Sequence, residues 1–208
     1  MKKLCMSALV MGSLWLASDA RAQVYGQLTG AETAPVGGHV FGAYVEASQN
    51  VLGLFSQLRL SFYPNVDFGF HGGLNRISVG TKDRTTLRIG GDVKFLVSKG
   101  PVDVSAGGAL GVETGDGISI LTIGPTVVAS RSFPMGTGGG ITPYGGVALL
   151  FSNVDIADAR QTDVSMPFRF GSEFKISPEI KLVAEIQLRA SDEINDDFAF
   201  VTGVNLPF

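Results

Sequence analysis

Charged side chains recur at every second position over long stretches of this sequence, and that spacing limits the chemistry they can do. Arg59, Arg88, Lys94, Arg169, Lys175, Lys181 and Arg189 fall among apolar residues in this way, as do Glu46, Asp92, Asp103, Glu113, Glu173 and Glu185. A repeat of two is the repeat of a β-strand, so these groups share one face of a sheet and leave the other almost free of charge. Enclosed by such a sheet, cations and anions in near balance pair with one another, because an unpaired charge in a confined space is costly. Folding the segments as hairpins brings Lys94 towards Asp103 and Arg88 towards Glu113 around Lys99-Gly100. Around Ser177-Pro178 it brings Glu173 towards Lys181 and Arg169 towards Glu185. The expected product is a salt-bridged plug or a narrow pore.

Catalytic chemistry is not expected. Hydrolysis at a membrane surface needs a histidine near an outer rim with a Ser or Asp beside it. The two histidines are His39, at the start of a strand-like segment, and His71, beside Gly72 and Gly73. Neither lies in such a motif. No Cys/His cluster offers a transition-metal site, and the glycines around Gly107 and Gly136 precede no helix that would bind phosphate. No cofactor is expected. The acidic residues Asp155, Asp158, Asp163, Asp192, Glu193, Asp196 and Asp197 lack calcium-loop spacing and read as solvated charge on two outer loops, 155–163 and 191–197.

The elements that must position the charges are strands. Alternation is clearest from Thr86 to Val97, where Leu87, Ile89, Val93, Phe95 and Val97 oppose Arg88, Asp92 and Lys94. It recurs in pieces at 38–48, 51–63, 67–79, 85–97, 101–113, 118–130, 140–152, 163–175, 179–190 and 197–208. Ten is an even number, as a single-chain bacterial transmembrane barrel requires, and eight is the alternative count. Short turns at Pro64-Asn65, Lys99-Gly100-Pro101 and Ser177-Pro178 then share the periplasmic side with both termini. Two places resist: Arg76 falls on the same face as Phe68, Phe70 and Leu74, and Pro125 interrupts a strand, where proline belongs at bulges.

Composition agrees. Residues 1–22 read as a secretory leader: Lys2 and Lys3, an apolar run from Leu4 to Ala17, then Ala20-Arg21-Ala22 before Gln23. Its loss removes the one Cys, the one Trp, three cations and one anion, moving the net charge from −3 to −5. An acidic chain of this kind excludes nucleic acid as a partner. Mean hydropathy is +0.27, yet the apolar residues after the leader never run long enough for a membrane helix. Residues 23–37 are assigned to an N-terminal arm and 38–208 to one barrel domain.

The chain ends Phe198-Ala199-Phe200-Val201-Thr202-Gly203-Val204-Asn205-Leu206-Pro207-Phe208. This resembles the C-terminal assembly signal of outer-membrane barrels, with Gly203 followed by Leu206 and Phe208 in the hydrophobic slots; Val201 departs from the usual polar slot. The small OmpA-barrel or OmpX-like group is the nearest resemblance. It implies an integral protein of the cell outer membrane, with membrane lipids, lipopolysaccharide and the barrel-assembly machinery as partners and a structural or surface-interaction role. A narrow porin-like pore and a soluble periplasmic β-barrel or sandwich are the alternatives.

Overall fold

Alternating apolar and polar residues can satisfy their backbones only by pairing with neighbours, and a membrane admits such a sheet only when it closes. The computed structural model describes residues 27–79, 82–115, 117–156, 159–190 and 198–208. Within these residues the strands are β1 (His39–Ser48), β2 (Val51–Tyr63), β3 (Val66–Val79), β4 (Lys82–Ser98) and β5 (Asp103–Gly115). There follow β6 (Ile118–Ser130), β7 in two segments (Gly140–Ala148 and Leu150–Ile156), β8 (Ala159–Ser177), β9 (Ile180–Ala190) and β10 (Phe198–Pro207). Each pairs antiparallel with the next, and β10 returns to β1 from Val40↔Pro207 to Ser48↔Ala199, so the ten strands form one closed up-and-down barrel. The seam is finished by reciprocal backbone hydrogen bonds between His39 and Phe208, at 3.1 and 2.9 Å.

The two faces of the sheet have opposite solvents. Leu54, Ile89 and Leu110 point outward and are 65, 59 and 51% exposed, whereas Arg88, Lys94 and Glu113 point inward and are 1, 0 and 0% exposed. A soluble barrel would have these the other way round. Leu52, Phe70, Leu74, Leu121, Ile123, Phe170 and Leu182 extend the exposed apolar band around the wall. Such a continuous apolar surface is that of a transmembrane barrel.

Pro125 is accommodated without a bulge. It forms a pair with Leu149 in which the Leu149 N–H donates to the Pro125 carbonyl at 3.1 Å, and the return bond is missing because proline has no N–H. That missing bond divides β7 at Leu149, but Thr126↔Ala148 and Ile123↔Phe151 hold one register on both sides. Gly124 makes the approach possible, since a Cβ there would strike the Leu149 carbonyl.

Two further places bear on the sequence reading. Arg76 shares the outward face as expected and lies towards the end of β3, where it is exposed and pairs with Asp83 of β4. The expected outer loop 155–163 is mostly strand: Asp155 pairs with Arg160 and Asp163 with Ser152, because the hairpin ladder of β7 and β8 continues past the apolar band. Asp158 and the second acidic segment, 191–197, lie outside the described residues, as does the leader 1–22. Between β6 and β7 the chain turns through a two-residue ladder, Phe133–Pro134, and a short 3-10 turn, Gly136–Gly138.

Candidate functional site

The inward faces of the strands meet in a lumen filled with side chains, and with one segment the sequence pattern did not place there. From the lower rim, at Gly38 just before β1, the arm turns into the barrel, and Gln27, Leu28, Gly30 and Ala31 are buried within it. Lys94 of β4 anchors it, donating from Nζ to the carbonyls of Gly30 at 3.0 Å and Glu32 at 2.6 Å. The same ammonium lies 3.5 Å from Asp67 of β3, which accepts the Ala34 N–H at 3.1 Å. Across the lumen, Glu173 of β8 accepts the Gly30 N–H at 3.2 Å, Ser130 of β6 accepts the Ala31 N–H at 2.8 Å, and Asn205 of β10 donates to the Leu28 carbonyl at 3.2 Å. Asn205 also donates to Glu173 at 3.1 Å and accepts from the Tyr44 hydroxyl. Leu28 packs among Tyr44, Phe55, Val183, Ala199 and Val201, and Ala31 against Val128 and Tyr144.

Above the arm, Arg59 of β2 binds Asp92 of β4 through two hydrogen bonds, 2.9 and 3.2 Å, and Gln57 donates to the same carboxylate at 3.3 Å. Nearer the outer end Arg88 lies between Glu46 and Glu113, 3.3 Å from each. Glu113 further accepts from Asn75 at 2.8 Å and from Thr86. The outer end of the lumen is apolar: Val51, Ile77, Ile118, Ile120 and Val154 cluster inside the wall, each at most 5% exposed. Inside the barrel these stacked layers pair Arg59 with Asp92 and Arg88 with Glu46 and Glu113, and they occupy the passage.

The positions of the anticipated charges can now be stated. Arg88 and Glu113 are register partners and bond directly; Lys181 lies 3.7 Å from Glu173. Arg59, Asp92, Lys94, Arg169 and Glu185 are also buried inside. Lys175 lies exposed at the lower end of β8. The side chain of Arg189 lies outside the described residues.

Two anticipated pairs do not form. Lys94 stands opposite Gly107, not Asp103, because the register that makes Arg88 and Glu113 partners carries on unbroken to Lys94 and places Asp103 four residues further along β5. Asp103 instead accepts the Gly100 N–H at 3.0 Å and closes the turn. Arg169 stands opposite Gln187, one inward position from the Gly171↔Glu185 pair, and Gln187 donates to Glu185. His39 stacks on the terminal Phe208 with ring centres 5.4 Å apart, and His71 is an inward residue of β3 near the middle of the wall. Tyr44, register partner of Gly203, lies between the arm and Phe55. Asp67, Asn75, Ser130 and Asn205 were not singled out in sequence, although the first two fall on the strand face opposite Phe68, Phe70 and Leu74.

No family model matches the chain, and no curated protein matches it. Among solved structures, the β domain of the Bordetella autotransporter BrkA is similar with a TM-score of 0.53 at 13% identity, covering 84% of this chain and all of that one. An outer membrane channel from Pseudomonas putida F1 gives 0.48 at 11% identity over 89% of this chain and all of that one. The N-terminal β-barrel domain of Pseudomonas aeruginosa OprF gives 0.38 at 9% over 83 and 98%. At 13% identity the similarity to the BrkA β domain shows the fold alone, that of a small outer-membrane-type barrel. The narrower kinship with the OmpA-barrel or OmpX-like group is not supported.

Proposed function

We propose that this chain is an integral protein of the cell outer membrane with a structural or surface-interaction role, and that its barrel is closed to solutes at rest. The observation that carries this reading is the filled lumen. Arm, ion pairs and outer apolar layer follow one another along the barrel, and the inward side chains Leu28, Lys94, Arg88, Glu113 and Ile120 are each no more than 1% exposed. An open pore keeps charged side chains in contact with water; here they contact protein. The exposed apolar wall suits the acyl chains of membrane lipids and lipopolysaccharide. Gly203, Leu206 and Phe208 on the closing strand would be what the assembly machinery reads. No enzymatic role is proposed, since His39 stacks on Phe208 at the rim and His71 faces the filled lumen. Fractionation of cells expressing the full chain tests the reading. Recovery in the outer membrane, with gel mobility that shifts on heating, is expected; recovery of folded protein in the soluble periplasm contradicts it.

A further inference from the structure

We propose that the lower lumen is a binding site for a short peptide, and that residues 27–34 are its resident, exchangeable occupant and not a part of the barrel. The ring closes without them. Every strand has a partner on both sides, and the arm joins no ladder, so the wall owes the arm none of its backbone pairing. The arm is therefore a ligand laid into a finished container.

The wall recognises it mainly through the main chain. Lys94 holds two carbonyls, Asn205 a third, and Asp67, Ser130 and Glu173 each hold an N–H. These groups come from five strands around the ring. Because N–H and carbonyl groups are common to all peptides, the seat selects sequence at few positions. Two are evident: Leu28 fills a socket of Tyr44, Phe55, Val183 and Val201, and Ala31 touches Val128 and Tyr144. The preferred occupant is thus a peptide without regular secondary structure, with an aliphatic side chain followed three residues later by a small one.

The way in is open. Pro35, Val36 and Gly37 are exposed at the lower rim, where Gly37 donates its N–H to the Ser61 carbonyl at 2.7 Å. Among the described residues, the solvent-facing stretch 35–37 joins the occupant to the wall. Severing it leaves residues 27–34 to be held by the contacts above. The inference goes beyond closure: a barrel can be shut whether or not its occupant exchanges.

The test cuts the tether after folding. A site-specific protease sequence replacing residues 35–37 is cleaved in the folded, membrane-inserted protein, and a fluorescent synthetic peptide of residues 27–36 is added. Saturable uptake, competed by unlabelled peptide and weakened about tenfold by Leu28→Asp in the peptide, is expected. A loss of that size corresponds to roughly 1.4 kcal/mol. Uptake no better than that of a scrambled peptide overturns the proposal. So does a cleaved arm that stays in place until the barrel itself unfolds. Membrane insertion and conductance of the uncleaved protein are measured separately, so failure here is distinguishable from failure of the closed-barrel reading.

Discussion

Arg59 on β2 and Asp92 on β4 meet in two hydrogen bonds across the full width of β3. They can do so because the strand between them carries Gly69 at the crossing, register partner of both. A Cβ on Gly69 would fall against the Asp92 carboxylate and the Arg59 guanidinium. The lumen is built on such relationships, in which a missing side chain on one strand lets its neighbours reach one another.

Gly69→Leu should therefore break the pair from between, and Asp92→Asn should leave Arg59 with Asp67, at 3.8 Å, as its one carboxylate partner among the described residues. Removing one partner of a buried pair costs about 3–5 kcal/mol at the upper end. Replacing both, as Arg59→Met with Asp92→Leu, should recover much of that loss. Urea unfolding of the barrel in lipid vesicles reads the three values; equal stability in all three would mean the pair does not form.

Leu110 separates a membrane wall from a soluble one. It is 51% exposed, and on a soluble protein an exposed Leu→Arg change stays within about 0.5 kcal/mol. In lipid, Leu110→Arg should cost on the order of 2–4 kcal/mol near the midplane, whereas Leu110→Ala should cost far less than the arginine. A neutral Leu110→Arg in vesicles would remove the lipid-facing assignment.

Lys94→Met should loosen the arm, since it takes one donor from two carbonyls and the cation from beside Asp67. With Cys5 replaced by Ser, Ala31→Cys supplies a single buried thiol for labelling. Maleimide reaction at that thiol should quicken about tenfold in the Lys94→Met background, the equivalent of one hydrogen bond to a charged group. Unchanged labelling would show that Lys94 does not hold the arm.

Deleting Phe208 removes the last ladder partner of His39 and the ring that stacks on it. Folded, heat-modifiable protein should fall and unfolded chain should accumulate in the periplasm. Wild-type yield after the deletion would mean that the terminal aromatic is not the assembly signal.

The strands are legible in the sequence because a repeat of two leaves its mark on each residue: Leu87, Ile89 and Val93 outside, Arg88, Asp92 and Lys94 inside. Pairing is less legible. Arg88 with Glu113 follows from counting back from a turn, but Lys94 with Asp103 belongs to a different register of the same ladder, and alternation alone marks the face of a residue and not its partner. The arm is hidden for another reason. Leu28 to Ala31 have no periodicity, and what binds them is mostly their own backbone, which any sequence carries. The apolar outer layer does show, faintly, where Ile118, Ile120 and Leu121 place apolar residues on both faces of β6.

The central claim is that the lumen is closed, and single-channel recording in planar lipid bilayers tests it most directly. Folded full-length protein, confirmed as inserted, should give no stable conductance steps across the voltage range. Regular, long-lived open steps from the unmodified protein would contradict the account: they would require a continuous water path through the arm, the Arg59–Asp92 and Arg88–Glu113 pairs and the layer of Ile77, Ile118 and Ile120.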